Sequence, residues 1–132
     1  AQLAAIASKS LKEVRYHLRH SHDWLVRFGD GTIESAQRAQ AALDYLVPFT
    51  QEFWLLTPYE AAAIAAGDAV DVRLLKDDWT QLVSQAVDTA KLQMPAATGY
   101  VTQGKFGTHS EHLSYLLAEM QSLARAHPEG VW

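Results

Sequence analysis

Apolar side chains recur at steps of three and four residues along the start of the chain, which is the spacing of one face of a long α-helix. The positions are Leu3, Ile6, Leu11, Val14, Leu18, Leu25 and Phe28. A helix with such a face packs it against other elements, and the two glycines within residues 29–31 predict where the helix ends. The pattern therefore limits the chain to folds that contain a long amphipathic helix at this position.

Capping and helix-breaking residues predict four more helices. Their expected spans are 32–54 with a kink at Pro48, a short helix over 57–67, 71–93 stopped by Pro95, and a last helix from a capping box at 108–111 to Pro128. Buried faces are expected at Leu74, Leu75, Trp79, Leu82, Val83, Ala86 and Ala90, and at Leu113, Leu116, Leu117, Met120 and Leu123. Since no segment alternates as a strand does, we predict an all-α bundle of four long helices and one short helix, in a single domain over residues 1–132.

Composition removes several classes of function. The chain has no cysteine, which excludes disulfides, zinc thiolate sites, iron–sulfur clusters and a thiol nucleophile. Its net charge of −4 argues against a nucleic-acid partner. Without an apolar run long enough for a membrane span, or the build of a signal peptide, we expect a cytoplasmic protein with no membrane partner. Because the chain starts at Ala1 inside a helical pattern, we expect it to be a piece of a longer protein.

Glu13 and His17 lie one helical turn apart at the apolar face of the first helix, where such groups need a hydrogen bond, an ion pair or a metal. Ferritin-like carboxylate proteins bind iron with Glu-x-x-His pairs, in which the histidine comes three residues after the glutamate. Tyr16 holds that position here, and His17 is turned from it by about 100°. We therefore predict that Glu13, Tyr16 and His17 make buried polar contacts and hold no metal.

A second group of histidines, His109 and His112, lies at the start of the last helix, and two histidines three residues apart can chelate a metal. Glu111 between them is explained as the glutamate of the capping box. Glu119 is on the same stripe as His112, which predicts that these two side chains make buried polar contacts with a neighbouring helix. If a metal is bound after all, its candidate ligands are Glu13, His17 and His112.

Two further patterns resemble anion sites but favour ordinary structure. The basic residues of the first helix, predicted to form a solvated face, are Arg15, Arg19, His20, His22 and Arg27. Residues 102–107 are rich in glycine, yet they lack the Gly-Lys-Ser/Thr ending of a phosphate loop and follow no strand. We predict a turn there.

Several ordered strings, spread over the whole chain, together resemble one family. They lie at residues 2–6, 12–19, 24–25, 29–32, 104–113 and 117–121, with Trp132 at the end. The run Lys12-Glu13-Val14-Arg15-Tyr16-His17 is among them. In this order they resemble the PaaC family, subunits of the ring-1,2-phenylacetyl-CoA epoxidase of aerobic phenylacetate degradation, and they resemble only its C-terminal half.

The resemblance implies a partial ferritin-like helical bundle with a structural, non-catalytic role. It implies a PaaA-type catalytic subunit as partner, with a di-iron centre and a site for the CoA thioester, together with a reductase and other epoxidase subunits. That complex activates O2 to form the 1,2-epoxide of the aromatic ring, with electrons from NADPH. No cofactor and no metal ligand is expected in this chain, and a homodimer is left open.

Two other functions remain open at this stage. The first is a di-iron oxygenase-type subunit with its own metal site, built on the candidate ligands above. The second is a free-standing helical interaction domain without any connection to aromatic catabolism. Iron bound in stoichiometric amount would favour the first, and the absence of a ferritin-like companion during purification would favour the second.

Overall fold

In the computed structural model, which describes residues 2–99 and 101–131, every regular element is helical. The α-helices are α1 (Gln2–Gly29), α2 (Ile33–Leu46), α3 (Pro58–Ala65), α4 (Lys76–Thr89) and α5 (His112–Ala126), with 3-10 helices at Val47–Trp54, Val72–Leu75 and Gly104–Phe106. The predicted all-α fold of four long helices and one short helix is confirmed, and it is consistent with a ferritin-like bundle. Trp132, which contributes to the resemblance, lies outside the described part. No helix within that part combines the length and hydropathy needed to cross a membrane.

Helix starts follow the local sequence closely. The side chain of Thr32 accepts a hydrogen bond from the Ser35 backbone N–H at 3.2 Å and so caps α2. At α3, Thr57 and Glu60 form the predicted capping box: the Thr57 hydroxyl accepts from the Glu60 N–H at 3.2 Å, and the Glu60 carboxylate accepts from the Thr57 N–H at 2.8 Å. Both caps satisfy amide groups that the first turn of a helix leaves unpaired.

The helices predicted over 32–54 and 71–93 are both present, but the α-helical part of each is shorter than predicted. After Leu46 the chain tightens into the 3-10 helix Val47–Trp54 because Pro48 lacks an N–H and its ring crowds the carbonyl four residues earlier. Residues Val72–Leu75 likewise form a 3-10 turn before α4 begins. Neither difference changes the order of the elements along the chain.

Lys91, and not Pro95, ends α4. Its φ of 58° places it in the left-handed region, where a helix often ends. The N–H of Lys91 donates to the carbonyl of Asp88 at 3.0 Å, and the N–H of Leu92 donates to that of Val87 at 3.1 Å. This bonding is that of a Schellman motif, with a lysine where glycine is usual. A 2.6 Å ion pair from Lys91 Nζ to Asp30 joins this end of α4 to the end of α1.

The predicted capping box at residues 108–111 is wrong, and α5 begins at His112 without a side-chain cap. Thr108 is used differently: its carbonyl accepts from the Gln103 N–H at 2.9 Å, and its N–H donates to the Gln103 carbonyl at 3.1 Å. This bridge closes the glycine-containing turn at Gly104–Phe106, which confirms the turn predicted over 102–107. The helix can start only after the bridge.

The core lies where the C-terminal parts of α1 and α4 meet α2. Its buried centre is Val87, Ala90 and Leu92, packed against Leu25, Val26, Ala39, Leu43 and Val83. The expected buried faces are therefore only partly correct. The expected positions that are exposed are Leu3, Ile6, Leu11, Val14, Leu18, Phe28, Leu74, Leu75, Leu82, Leu116, Leu117, Met120 and Leu123. They are exposed because no other element of the described chain covers them, and α5 in particular makes few contacts with the other elements.

Candidate functional site

Glu13 and His17 stand on an open part of α1. The His17 Nε2 and Glu13 Oε1 atoms are 3.9 Å apart, and the side chains are 64% and 77% exposed. The expected burial of this pair is not found in the chain, because α1 packs on the core only further along, at Leu25 and Val26. The two groups form a weak, solvated pair of the kind common on helix surfaces.

Tyr16 belongs to an aromatic row that the sequence analysis missed. Rings four residues apart contact one another along α1, at centroid distances of 5.9 Å for Tyr16–His20, 6.3 Å for His20–Trp24 and 5.3 Å for Trp24–Phe28. The guanidinium of Arg19 lies over the Tyr16 ring at 5.7 Å. Tyr16 is 54% exposed and so is not a buried contact either. The spacing of four between aromatic residues is the signal that could have revealed this row.

His112 and Glu119 are both exposed on α5. Among the residues that the structure describes, neither side chain makes a hydrogen bond or an ion pair, so the predicted contact between them and a neighbouring helix is not found. The reason is that α5 has little packing against the rest of the described chain. His109 instead lies beside the turn, where a Cβ on Gly104 would be 3.2 Å from its ring.

Metal binding has no geometric support in the described part of the chain. Within residues 2–99 and 101–131, no three His, Asp or Glu side chains come close enough together to hold a metal. That Glu13, His17 and His112 bind none stays a prediction.

A polar cluster around Lys105 joins three separate segments of the described chain. Its Nζ contacts Glu60 Oε1 at 2.8 Å and donates to the Leu55 carbonyl at 3.0 Å, while its backbone N–H donates to Glu52 Oε1 at 2.6 Å. These bonds tie the turn at Gly104–Phe106 to the segment before α3. The hydrogen bond from Lys105, followed by those from the backbone and hydroxyl of Thr57, lowers the pKa of Glu60 from 4.5 to about 2. This cluster serves structure, and nothing in it resembles a reaction centre.

A groove of about 530 Å³ runs between α1 and α4. Its lining residues are Arg15, Leu18, Arg19, Ser21, His22 and Leu25 from α1, and Leu82, Val83, Gln85, Ala86 and Thr89 from α4. Three of the five basic residues expected on a solvated face therefore share one side of this groove. The groove has an apolar floor and a basic edge.

Comparison with known proteins identifies the family. The model of the family described as phenylacetic acid catabolic protein matches residues 1–132. The C subunit of the 1,2-phenylacetyl-CoA epoxidase of Escherichia coli strain K12 is 44% identical over 131 residues, which are 99% of this chain and 53% of that relative. The chain thus spans about half the length of that relative, and the predicted resemblance is confirmed. That the matching part is its C-terminal half stays a prediction.

Proposed function

The chain belongs to the family of phenylacetic acid catabolic proteins, and we propose that it is a structural, non-catalytic part of a phenylacetyl-CoA epoxidase that supports a separate di-iron subunit. The name of the E. coli relative, an epoxidase subunit, supports the assignment to this system. The role as support is proposed on the residues of this chain.

The observation that carries the proposal is the environment of Tyr16. A di-iron site of the ferritin-like kind needs a histidine three residues after Glu13, and this position holds a tyrosine whose ring stacks on His20 at 5.9 Å. His17, one residue further, faces a different direction and meets Glu13 only at 3.9 Å. The residues present do not fit a di-iron centre, so we assign no chemical step to them.

Exposed apolar surface supports the second half of the proposal, the need for a partner. Leu3, Ile6 and Val14 on α1 and Met120 and Leu123 on α5 are all more than half exposed. Surfaces of this kind, gathered on particular helices, are typical of protein–protein contacts. We expect a PaaA-type subunit, which would hold the iron and the CoA thioester, to cover part of them, with a reductase and other subunits completing the complex.

Iron analysis of the purified protein and of its complex with the companion subunit tests this role. We compare the wild type with Glu13→Gln and His17→Ala, and with Glu34→Gln on α2 as a matched exposed control. Iron should be absent from the protein alone, and all three variants should leave the iron content and epoxidase activity of the complex unchanged.

Stoichiometric iron in the protein alone, lost in Glu13→Gln and His17→Ala but kept in Glu34→Gln, would overturn the proposal. It would favour the alternative of a di-iron subunit with its own site, with His112 as the next ligand to replace. If the wild type forms no complex with the companion at all, the supporting role itself fails.

A further inference from the structure

The groove between α1 and α4 has the chemistry of a docking site for one kind of helix. Resting on the proposed function, we propose that it receives an amphipathic α-helix of the companion subunit that carries two carboxylates one helical turn apart. The apolar face of that helix would lie on the groove floor, and its carboxylates would meet Arg15 and Arg19.

The floor of the groove offers unburied apolar area. Leu18 is 46% exposed and Leu82 is 43% exposed, and both line the groove beside half-buried Leu25 and Val83. Their exposure is costly in water, and a helix laid along them would remove it. The α1 side of the lining runs from residue 15 to residue 25, about 15 Å at 1.5 Å per residue, which matches almost three turns of a docked helix.

The charge at the edge of the groove selects the partner. The lining includes Arg15, Arg19 and His22 and contains no aspartate or glutamate. Within the described part of the chain neither arginine forms an ion pair, and Arg19 contacts only the Tyr16 ring at 5.7 Å. The two arginines are four residues apart, so their guanidinium groups lie one helical turn from each other. Two carboxylates at the same interval on a facing helix would each meet one guanidinium.

Charge reversal tests the docking site. The equilibrium affinity for the companion subunit is measured for the wild type, for the double variant Arg15→Glu/Arg19→Glu, and for Lys9→Glu/Lys12→Glu. The last pair makes the same change in net charge on α1 outside the groove. Because repulsion replaces attraction at the groove edge, we expect the arginine variant to bind about 10-fold more weakly or worse, and the lysine variant to bind nearly as the wild type does. Circular dichroism confirms that both remain folded.

A peptide competition addresses the kind of helix. A helical peptide with a leucine stripe flanked by glutamates at intervals of four should displace the companion from the wild type, and the same peptide with lysines in place of glutamates should not. Equal affinity of the arginine and lysine variants, or equal competition by the two peptides, overturns the inference while the proposed function stands. Loss of self-association in the arginine variant, seen by sedimentation, would make a second copy the occupant and also overturn it. Failure of the glutamate peptide to bind a chain extended to the full length of its relative would make another segment of the same protein the occupant, and would overturn it as well. If the wild type does not bind the companion subunit, the proposed function is refuted instead.

Discussion

Glu60 shows how one side chain can do two structural tasks. Its carboxylate caps the first turn of α3 by accepting from the Thr57 N–H, and it also pairs with Lys105 at 2.8 Å. Each contact favours the ionised form, which is why the pKa of Glu60 falls to about 2. The side chain is 35% exposed, so water still reaches part of this cluster.

The lowered pKa of Glu60 predicts how the stability of the fold changes at acidic pH. A carboxyl group whose folded pKa lies below its unfolded value stabilises the fold above the unfolded pKa, and this contribution disappears as pH falls through the folded value. The contribution of Glu60 to the stability of the fold should thus be complete above about pH 4.5 and should vanish as the pH falls towards about 2. In Lys105→Met, an NMR titration should give a Glu60 pKa closer to its usual range. Lys91→Met, which removes a different ion pair, should leave the titration unchanged, and the same shift in both variants would contradict the assignment.

Sequence distance decides which part of this cluster could be predicted. The Thr57–Glu60 box spans three residues and follows from local backbone chemistry, so its pattern is legible in the sequence. Lys105 is separated from Glu60 by 45 residues, and no local rule pairs them. The same holds for Glu13 and His17: their spacing is read directly from the sequence, but the predicted burial depended on another element covering them, which the spacing does not determine.

At the scale of elements, the junction of α1 and α4 holds the described fold together. Gly29 is the buried residue of α1, and it lies against Ala90 so closely that a Cβ at position 29 would be 2.1 Å from the Ala90 carbonyl oxygen. The neighbouring ion pair of Asp30 and Lys91 joins the same two helix ends. A side chain at position 29 would push the ends apart.

Gly29→Ala should therefore destabilise the protein. The obstructing atom is backbone, which cannot rotate away as a side chain can, so we expect a loss of about 3 kcal/mol in the free energy of unfolding, at the upper end of the usual range for overpacking. Urea denaturation followed by circular dichroism measures this loss. Ser8→Ala, at an exposed site of the same helix, should stay within about 0.5 kcal/mol of the wild type. Equal stability of Gly29→Ala and the wild type would show that the helix ends are not in close contact.

Helix ends were predicted well where the stop signal is local and poorly where tertiary contact sets it. Thr32 and Gly67 mark boundaries that the structure reproduces, because capping and a left-handed glycine act within a few residues. The end of α4 at Lys91 could not be anticipated, since a lysine at φ 58° is unfavourable by itself. Its ion pair with Asp30 is one contact that accompanies it.

At the scale of the whole molecule, the main feature is how little of the apolar surface of the described chain is buried. The periodicity of α1 and α5 identifies which face of each helix is apolar, but burial needs a second element, and the described chain brings few of these faces together. The core is confined to one end of the fold, around Val87. The remaining apolar side chains stay exposed in the described chain, and the supporting role that we propose would have a companion subunit cover part of them.

Substitutions inside and outside this core should separate stability from association. Val87 is fully buried, so Val87→Ala removes two methyl groups from packed surroundings and should cost about 2 kcal/mol in the free energy of unfolding. Leu123 is 57% exposed on α5, so Leu123→Gln should change that free energy by less than about 0.5 kcal/mol. Sedimentation of mixtures with the companion subunit should show the reverse order: Leu123→Gln weakens the complex because it removes exposed apolar surface, whereas Val87→Ala does not weaken it. If Leu123→Gln instead unfolds the protein as readily as Val87→Ala does, α5 packs into the core, and its apolar face serves the fold of this chain instead of a partner.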